Sequence, residues 1–340
     1  MLLEVDGLNV AFDTPDGPVQ AIQDVSFQLD AGQTLGIVGE SGSGKSVSTQ
    51  ALVGLLRGAT ITGRSSFNGD DLLTMSTAKL RAVRGAEIAM VFQDPLSSLH
   101  PLYRVGWQIV EQIRVHEKLS KRAARKRAVE LLRLVGIPQP DRRIDDYPHQ
   151  FSGGMRQRAM IAMAMSLRPQ LLIADEPTTA LDVTVQAQVL EVMRRLQEEF
   201  GTALIVITHD LGVIADIADN VCVMYGGRVI ETAPLRDIFY AQHHPYTAGL
   251  LRSIPSADTA GRRLNSISGR PPSLVAPPSG CAFHPRCPHA MDVCRLERPA
   301  LQRVMHSNEH RSACWLPSAS TRMTDSLETL ALGKPGAVDS

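Results

Sequence analysis

A glycine-rich loop between an apolar segment and a helix is the feature that most constrains the fold of this chain. The loop is Gly39-Glu40-Ser41-Gly42-Ser43-Gly44-Lys45-Ser46, which fits the pattern G-x-x-x-x-G-K-[ST] at every specified position. The preceding residues Thr34–Val38 predict a buried strand, and a helix is expected to open at Gly44 and run to about Leu56. A strand, a glycine loop and a helix in this order indicate a phosphate-binding site within an α/β fold.

The residues of the loop suit the binding of a nucleotide. Gly42 and Gly44 allow backbone N–H groups to turn inward, and the helix N-terminus adds the positive end of its dipole. Lys45 supplies a point charge for the β- and γ-phosphates, and the Ser46 hydroxyl is the expected Mg²⁺ ligand. We expect the nucleotide to contact a run of residues along the loop and the first helical turn: Gly39, Ser41, Gly42, Ser43, Gly44, Lys45, Ser46 and Val47.

A second apolar strand ends in two carboxylates. Leu171–Ala174 is followed directly by Asp175 and Glu176. We expect this strand to lie beside the phosphate-loop strand, so that both carboxylates reach the sheet edge where open α/β sheets bind ligands. Asp175 would hold Mg²⁺ through its water shell, and Glu176 would polarise the water that attacks the γ-phosphorus. The alternative is a solvated acidic strand end, which Lys45 in the same chain disfavours.

Between these two motifs lies Phe151-Ser152-Gly153-Gly154-Met155-Arg156-Gln157-Arg158. Ser152 is placed to cap a helix that continues through Met163. A phosphate loop alone would also fit a kinase, a GTPase or a motor, but with this Ser-Gly-Gly element the chain resembles the ATP-binding-cassette (ABC) family over about residues 1–255. Phe151 and Met155 stand where the family more commonly has Leu and Gln.

The resemblance implies roles for further residues. Gln93 matches the family's glutamine loop, which touches Mg²⁺ or the attacking water, and His209 matches the switch histidine that contacts the γ-phosphate. Asp182 matches the loop that joins two ATPase subunits, and Ser152–Gly154 would close over ATP bound by the other subunit. Phe12 is the candidate to stack on adenine, with a core role as the alternative. A lone Gln or His in a loop is more often an ordinary surface residue, and an isolated Ser-Gly-Gly more often caps a surface helix, but the order of the motifs favours the functional roles.

The predicted fold class is α/β: a P-loop ABC cassette with a RecA-like parallel-sheet core, an N-terminal antiparallel β subdomain and a helical subdomain, plus a small Cys-rich C-terminal module. Alternating segments at Leu2–Phe12 and Val19–Leu29 predict the antiparallel strands. The helical insertion spans about residues 93–150. Further elements are expected at about Thr184–Phe200, as a helix, and at Ala203–Ile207, as a strand, with a hairpin at Gly226-Gly227.

The composition disfavours several classes of function. Lys plus Arg and Asp plus Glu each number 35, so the formal net charge is zero and no basic stripe indicates a nucleic-acid partner. The N-terminus lacks the pattern of a secretory signal. No run approaches the roughly 20 apolar residues that would cross a bilayer. We therefore expect a protein of the cytosol that binds no nucleic acid.

Four of the five cysteines cluster near the C-terminus, whereas Cys222 lies in an apolar strand and is expected to be a buried small hydrophobe. Disulfides are unlikely in a cytosolic ATPase, so metal ligation is the leading interpretation of the cluster: Cys281, Cys287, Cys294 and Cys314. Their open spacing suits an iron–sulfur cluster. Zinc, completed by histidines, and no metal at all remain open; the histidines are His284, His289, His306 and His310.

Three segments sharpen the resemblance: Phe151–Arg158, His244–Pro255 and Gly280–Pro288. Together they are similar to the first ATPase subunit of bacterial dipeptide and oligopeptide importers, over about residues 1–316. This resemblance implies a [4Fe-4S] cluster on the four C-terminal cysteines. It divides the chain into a cassette (1–255) and a C-terminal module (256–317), while residues 318–340 are expected to be a disordered tail.

The same resemblance implies an assembly. A second homologous ATPase subunit, two membrane permeases and an extracytoplasmic peptide-binding protein would work with this chain at the cytoplasmic face of the membrane. A permease helix would dock near Leu96–Tyr103, where a structural role is the alternative. Hydrolysis by Glu176, with Lys45, Gln93 and His209, would reset the transporter. Alternatives are an importer of nickel or another small solute, a non-transport ABC ATPase and a regulatory nucleotide-binding subunit.

Overall fold

The computed structural model describes residues 1–15, 17–94, 98–179, 181–254, 267–305 and 307–316. The strands, in chain order, are β1 (Leu3–Thr14), β2 (Gly17–Leu29), β3 (Thr34–Val38), β4 (Ala59–Phe67), β5 (Asp70–Asp71), β6 (Ile88–Val91), β7 (Leu171–Asp175), β8 (Ala203–Thr208), β9 (Asn220–Tyr225), β10 (Arg228–Pro234), β11 (Gln302–Arg303) and β12 (Arg311–Ser312). The α-helices are α1 (Lys45–Leu52), α2 (Thr77–Val83), α3 (Val105–His116), α4 (Lys121–Leu134), α5 (Pro140–Arg143), α6 (Gly153–Ala164), α7 (Val183–Phe200), α8 (Leu211–Ile217), α9 (Leu235–Tyr240), α10 (Pro245–Arg252) and α11 (Asp292–Leu296).

A large mixed sheet forms the centre, with the strand order β11-β12-β10-β9-β3-β8-β7-β6. The run from β9 to β6 is parallel, and every residue of β3, β7 and β8 is buried. Continuous apolar strands of this kind need cover on both faces. The predicted parallel core is therefore confirmed.

One prediction about this sheet is wrong. The strand that ends in Asp175 does not lie beside the phosphate-loop strand, because β8 is inserted between them: Ile205 pairs with Leu35 on one side and with Ile173 on the other. Parallel neighbours are joined by long crossovers, so order along the chain does not fix order in the sheet. The two carboxyl ends still share one edge.

The two faces of the central sheet are covered by different layers. Leu35 and Ile37 pack into a core shared with the N-terminal antiparallel sheet, whose order is β2-β1-β4-β5. Val38, Leu172 and Ala174 face the opposite way and pack against the helices. This division follows from the alternation of side chains along a strand. The strands predicted at both ends of the Asp13–Pro18 turn are confirmed; β4, β5 and α2 were not predicted.

The helical region between β6 and β7 contains α3, α4, α5 and α6. The face predicted from the sequence is buried in the structure: Ala124, Ala128, Leu131, Leu132 and Val135. Ser120 caps α4, and Ser152 caps α6 as predicted, accepting a hydrogen bond from the backbone N–H of Met155. Among the described residues, no helix is long and apolar enough to cross a membrane.

The described residues of the predicted Cys-rich module are 267–305 and 307–316, and we call them the cysteine-rich segment. This segment continues the central sheet instead of standing apart from it. Its strand β12 pairs with β10, with Glu231 opposite Ser312 and Thr232 opposite Arg311. Phe283 is 2% exposed and belongs to the helical-side core. The predicted boundary near residue 255 and the predicted tail at 318–340 lie outside the described residues, so both stay predictions.

Candidate functional site

The phosphate loop has a backbone that requires glycine. Gly44 precedes α1 with φ 99°, and a Cβ there would lie 2.5 Å from Ile22 Cδ1. At Gly39, with φ 156°, a Cβ would approach the carbonyl oxygen of Met224 to 2.3 Å. Gly42 differs, because a Cβ there would meet nothing within 4 Å. The loop is thus packed on β9 and β2 at its ends and open in its middle.

Lys45 lies curled into this loop and is 5% exposed. Its Nζ donates hydrogen bonds to the carbonyl oxygens of Gly39, at 2.7 Å, and Glu40, at 3.1 Å. Burial lowers the pKa of Lys45, and nearby carboxylates, Glu176 above all, oppose this shift. The ammonium group is therefore partly desolvated, and its hydrogen-bond partners in the described part of the chain are neutral carbonyl oxygens, which an anionic group can replace.

Ser46 and Asp175 meet at the carboxyl edge of the sheet. Ser46 Oγ donates to Asp175 Oδ1 over 2.7 Å, and Asp175 is 4% exposed. Burial raises the pKa of Asp175, and the hydrogen bond from Ser46 counteracts this in part. A hydroxyl and a carboxylate oxygen are ligands that Mg²⁺ prefers, so this pair fits the predicted metal.

Glu176 is the meeting point of three other side chains. Gln93 Nε2 and Thr179 Oγ1 both donate to its Oε2, at 2.9 and 2.8 Å, and His209 Nδ1 lies 3.5 Å from its Oε1. Glu176 has φ 48°, a left-handed conformation that is strained for a residue with a Cβ. Its backbone N–H donates to the carbonyl of Ile207. The chain thus turns at Glu176 so that two successive carboxylates serve one edge.

The structure therefore brings five residues from four predicted motifs to one edge of the sheet: Ser46, Gln93, Asp175, Glu176 and His209. It also adds Thr179, which the sequence did not predict. The missing signal is local: Thr179 lies three residues after Glu176, within the turn that closes back on the strand end. A hydroxyl at this spacing can reach back to a carboxylate.

The Ser-Gly-Gly element and Asp182 do not join this group. No hydrogen bond or ion pair within the described ranges links Ser152–Gly154 to the phosphate loop. Ser152 and Gly153 are exposed at the N-terminus of α6, whereas Gly154 packs so closely on α7 that a Cβ would lie 2.4 Å from Val185. Asp182 caps α7 by accepting from Val185 N. In a single chain both motifs are helix caps, and both Ser152 and Asp182 are exposed.

Four further residues predicted to contact the nucleotide lie in different surroundings. Phe12 and Val47 are partly buried and pack against the core under the antiparallel sheet, so the alternative of a core role for Phe12 has structural support. Ser41 is exposed. Ser43 Oγ is buried without a hydrogen-bond partner in the described structure, so the loop contains an unsatisfied hydroxyl group that a ligand could bond.

Comparisons with known proteins agree with this geometry. The ABC transporter family model matches residues 22–179, and the model for the C-terminal region of oligopeptide/dipeptide transporters matches residues 230–294. The chain is 53% identical over 319 residues to the oligopeptide transport ATP-binding protein OppD of Bacillus subtilis, which covers 93% of this chain and 88% of the relative. It belongs to the oligopeptide/dipeptide ABC transporter ATP-binding subunits. A second relative, the dipeptide transport ATP-binding protein DppD of Escherichia coli, is 49% identical over 93% of this chain and 97% of its own length.

Solved structures support the cassette fold of this ABC ATPase. The ATP-binding cassette MJ0796, in a dimeric post-hydrolysis state bound to ADP and Pi, aligns with a TM-score of 0.63 at 26% identity, over 69% of this chain and 99% of that one. CbiO1 from Clostridium perfringens aligns with a TM-score of 0.60 at 31% identity, over 70% and 90% of the two chains. The fold class predicted for the cassette is confirmed.

The predicted [4Fe-4S] site is not supported. Among the described residues, no group of three or more His, Cys, Asp or Glu side chains is placed to hold a metal ion. The four cysteines do line one cavity, but its volume is about 10 Å³, roughly enough for one water molecule. Burial raises the pKa of Cys314 to about 11, so its thiol is neutral in the absence of a bound cation.

The zinc alternative also loses one of its candidate ligands. His310 Nε2 lies 2.8 Å from Glu231 Oε1, where both side chains are almost fully buried. His306 lies outside the described residues. Cys222 is 1% exposed within β9, and burial raises the pKa of its thiol to about 12, so its interpretation as a small hydrophobe is confirmed.

Proposed function

We propose that this ABC ATPase drives the uptake of dipeptides or oligopeptides, and that its catalytic centre is the group around Glu176 at the carboxyl edge of the sheet. The observation that carries the proposal is the convergence of Gln93, Thr179 and His209 on Glu176, beside Lys45 and the Ser46–Asp175 pair. Relatives about half identical over nearly the whole chain are named as peptide transport ATP-binding proteins, which supports the substrate class.

The phosphate loop binds the triphosphate in this proposal. Lys45 exchanges the carbonyl oxygens of Gly39 and Glu40 for phosphate oxygens, which is favourable because an anion is a stronger acceptor for a desolvated ammonium group. The open side of Gly42 lets phosphate approach the backbone N–H groups. Mg²⁺ would be held by Ser46 and Asp175, and it would neutralise charge on the phosphates. Phe12 remains the candidate contact for adenine.

Glu176 acts as the general base. Gln93 and Thr179 hold Oε2, and Oε1 can accept a proton from a water molecule that attacks the γ-phosphorus once His209 turns away from it. The bond from the γ-phosphorus to the bridging oxygen breaks, and ADP leaves with the electron pair. His209 is 61% exposed and near the same carboxylate, so its imidazole can turn to donate to the γ-phosphate.

A second subunit completes the site. Ser152 and Gly153 are exposed at the start of α6, and no hydrogen bond or ion pair of the described residues links this element to its own phosphate loop, so it is suited to close over a nucleotide held by another cassette. Asp182 would lie at the same joint. The dimeric state of the related cassette MJ0796 supports this arrangement. The proposed second subunit is a homologous ATPase chain, which makes a heterodimer.

The proposed membrane partners are two permeases, to which an extracytoplasmic binding protein delivers the peptide. Leu96 lies outside the described residues, but the described part of the predicted docking segment exposes apolar side chains. Leu102 is 77% exposed, and Tyr103 stacks on Trp107 with both rings partly exposed. This surface suits a permease helix and would hold the chain at the cytoplasmic face of the membrane.

The proposal is tested by peptide uptake into cells that depend on this chain. Glu176→Gln is expected to abolish uptake of a labelled dipeptide or tripeptide, because the amide cannot accept the proton. The matched control is Glu191→Gln, an exposed position on α7, which should transport normally. Uptake of nickel but not of peptide by the wild-type assembly would contradict the substrate class. Normal peptide uptake by Glu176→Gln would contradict the catalytic centre.

A further inference from the structure

The first side chain of the phosphate loop is held by the cysteine-rich segment. Arg286, between Cys281 and Cys287, makes a two-point ion pair with Glu40: its Nη1 donates to Oε2 over 2.6 Å and its Nη2 to Oε1 over 2.9 Å. Parallel bonds of this kind are the strong form of an arginine–carboxylate contact. The two residues are 246 positions apart in the sequence.

Arg286 is fixed from several sides. Its side chain is 4% exposed, its Nε donates to the carbonyl of Ser268, and its Nη2 also donates to the carbonyl of Ile267. Its Nη1 lies 3.3 Å from the hydroxyl of Tyr225. The bond to Glu40 is the largest cause of the raised pKa of Arg286. A guanidinium group with this many partners is a rigid support.

Glu40 is in turn fixed at its backbone. Its N–H donates to Tyr246 Oη over 2.8 Å, and its carbonyl accepts from Lys45 Nζ. Tyr246 is fully buried, and its ring contacts Phe283 of the cysteine-rich segment at a centroid distance of 5.4 Å. The negative charge of Glu40 is also close enough to Lys45 to favour its protonated form. An unpaired Glu40 would therefore act directly on the residue that receives phosphate.

We propose that Arg286 is a positioning residue for nucleotide binding, through which the cysteine-rich segment sets the affinity of the phosphate loop for ATP. The ion pair keeps the Glu40 carboxylate away from Lys45, so that Lys45 is available to the triphosphate, and it cancels a negative charge beside an anion site. Without Arg286, Glu40 competes with phosphate for Lys45 and repels it. The inference rests on the proposed binding of the triphosphate at this loop.

The test is a titration of the full-length chain with mant-ATP and Mg²⁺, together with the ATPase kinetics of the assembled transporter. Arg286→Gln is expected to weaken mant-ATP binding about tenfold and to raise the KM for ATP similarly, while kcat changes less than about threefold. Arg295→Gln, an exposed position on α11 of the same segment, is the control and should bind as the wild type does.

Two variants at Glu40 separate a charge effect from a bracing effect. Glu40→Gln alone should bind mant-ATP within about threefold of wild type, and Glu40→Gln combined with Arg286→Gln should regain that affinity, because no uncompensated carboxylate remains. The inference is overturned if Arg286→Gln binds normally, or if the double variant stays as weak as Arg286→Gln. A loss of about tenfold in mant-ATP affinity in Glu40→Gln alone would also overturn the inference. This outcome can be measured even if Arg286→Gln does not fold. Absence of mant-ATP binding by the wild type would instead contradict the proposed function.

Discussion

The phosphate-loop site and the cysteine-rich segment each contain several reactive side chains, and these side chains are arranged in opposite ways. At the sheet edge, residues from four separate motifs reach hydrogen-bond distance of one another. In the cysteine-rich segment, four thiols surround a cavity of about 10 Å³ and take part in no metal-holding group among the described residues. The carboxyl ends of parallel strands lie at the same edge of a sheet, so residues that follow them come close together. No such rule places the side chains of an irregular segment.

The two regions also differ in how they depend on the rest of the molecule. At the sheet edge, the buried Ser43 Oγ has no hydrogen-bond partner among the described residues, and Lys45 Nζ bonds to backbone carbonyl oxygens that the proposed phosphate ligand could replace. The cysteine-rich segment serves the fold, because it pairs β12 with β10 and buries His310 against Glu231. We therefore expect changes in the first region to alter turnover and changes in the second to alter stability, with Arg286 as the link between them.

The largest expected effect of the following variants lies in the cysteine-rich segment. Glu231 has no exposed surface, and His310 Nε2 bonds to its carboxylate. His310→Leu would leave a buried oxygen with fewer partners, so the free energy of unfolding should fall by about 2 kcal/mol. Chemical denaturation measures this change. His116→Leu, on the exposed part of α3, is the control, and a drop of equal size there would break the distinction between the regions.

The next effect lies at the sheet edge. Thr179→Val keeps the shape of the side chain but removes the hydroxyl that holds Glu176 Oε2. The ATPase kcat should fall about tenfold with little change in the KM for ATP, because the proposed general base, Glu176, loses its orientation while the phosphate loop is untouched. Steady-state ATPase assays on the assembled transporter measure both constants. Thr184→Val, exposed on α7, provides the comparison; an unchanged kcat in Thr179→Val would refute the positioning role.

The smallest expected effect is an increase in the stability of the chain, produced by a change at the carboxyl edge of the sheet. The pKa of Asp175 is raised by burial, so the native state favours its protonated form more than the unfolded state does, and its ionised form is destabilising above its native pKa. Removing the charge with Asp175→Asn should therefore raise the free energy of unfolding of the nucleotide-free chain at pH 7, by less than the change expected for His310→Leu. The gain should shrink as the pH falls through the raised pKa. Mg²⁺-dependent hydrolysis should be lost at the same time. A less stable variant at pH 7 would contradict this reasoning.

Part of the sheet-edge site could be predicted from the sequence, because its features depend on residues that are close together in the chain. The glycine loop, its flanking strand and helix, and the cap at Ser152 follow from local periodicity and local hydrogen bonds. The order of β7, β8 and β3 does not, since nothing in a buried apolar strand specifies its neighbour. The bond from the Thr179 hydroxyl to Glu176 could not be predicted either, because it depends on the left-handed backbone conformation of Glu176.

The C-terminal third shows the limit more clearly. The cysteines were conspicuous in the sequence and indicated a cluster that the structure does not support. Arg286 drew no attention between two of them, although it makes the contact that reaches the phosphate loop. A salt bridge across 246 residues leaves no periodic signal, because each partner alone is an ordinary charged residue in a loop.

The most direct test of the account is a single-turnover measurement of ATP hydrolysis by the assembled transporter, with Glu176→Gln compared with the wild type and with Glu191→Gln. The account predicts that Glu176→Gln binds ATP with unchanged affinity and hydrolyses it about 10²- to 10³-fold more slowly, while Glu191→Gln matches the wild type. A hydrolysis rate in Glu176→Gln within about threefold of the wild-type rate would contradict the assignment of the sheet-edge group as the catalytic centre.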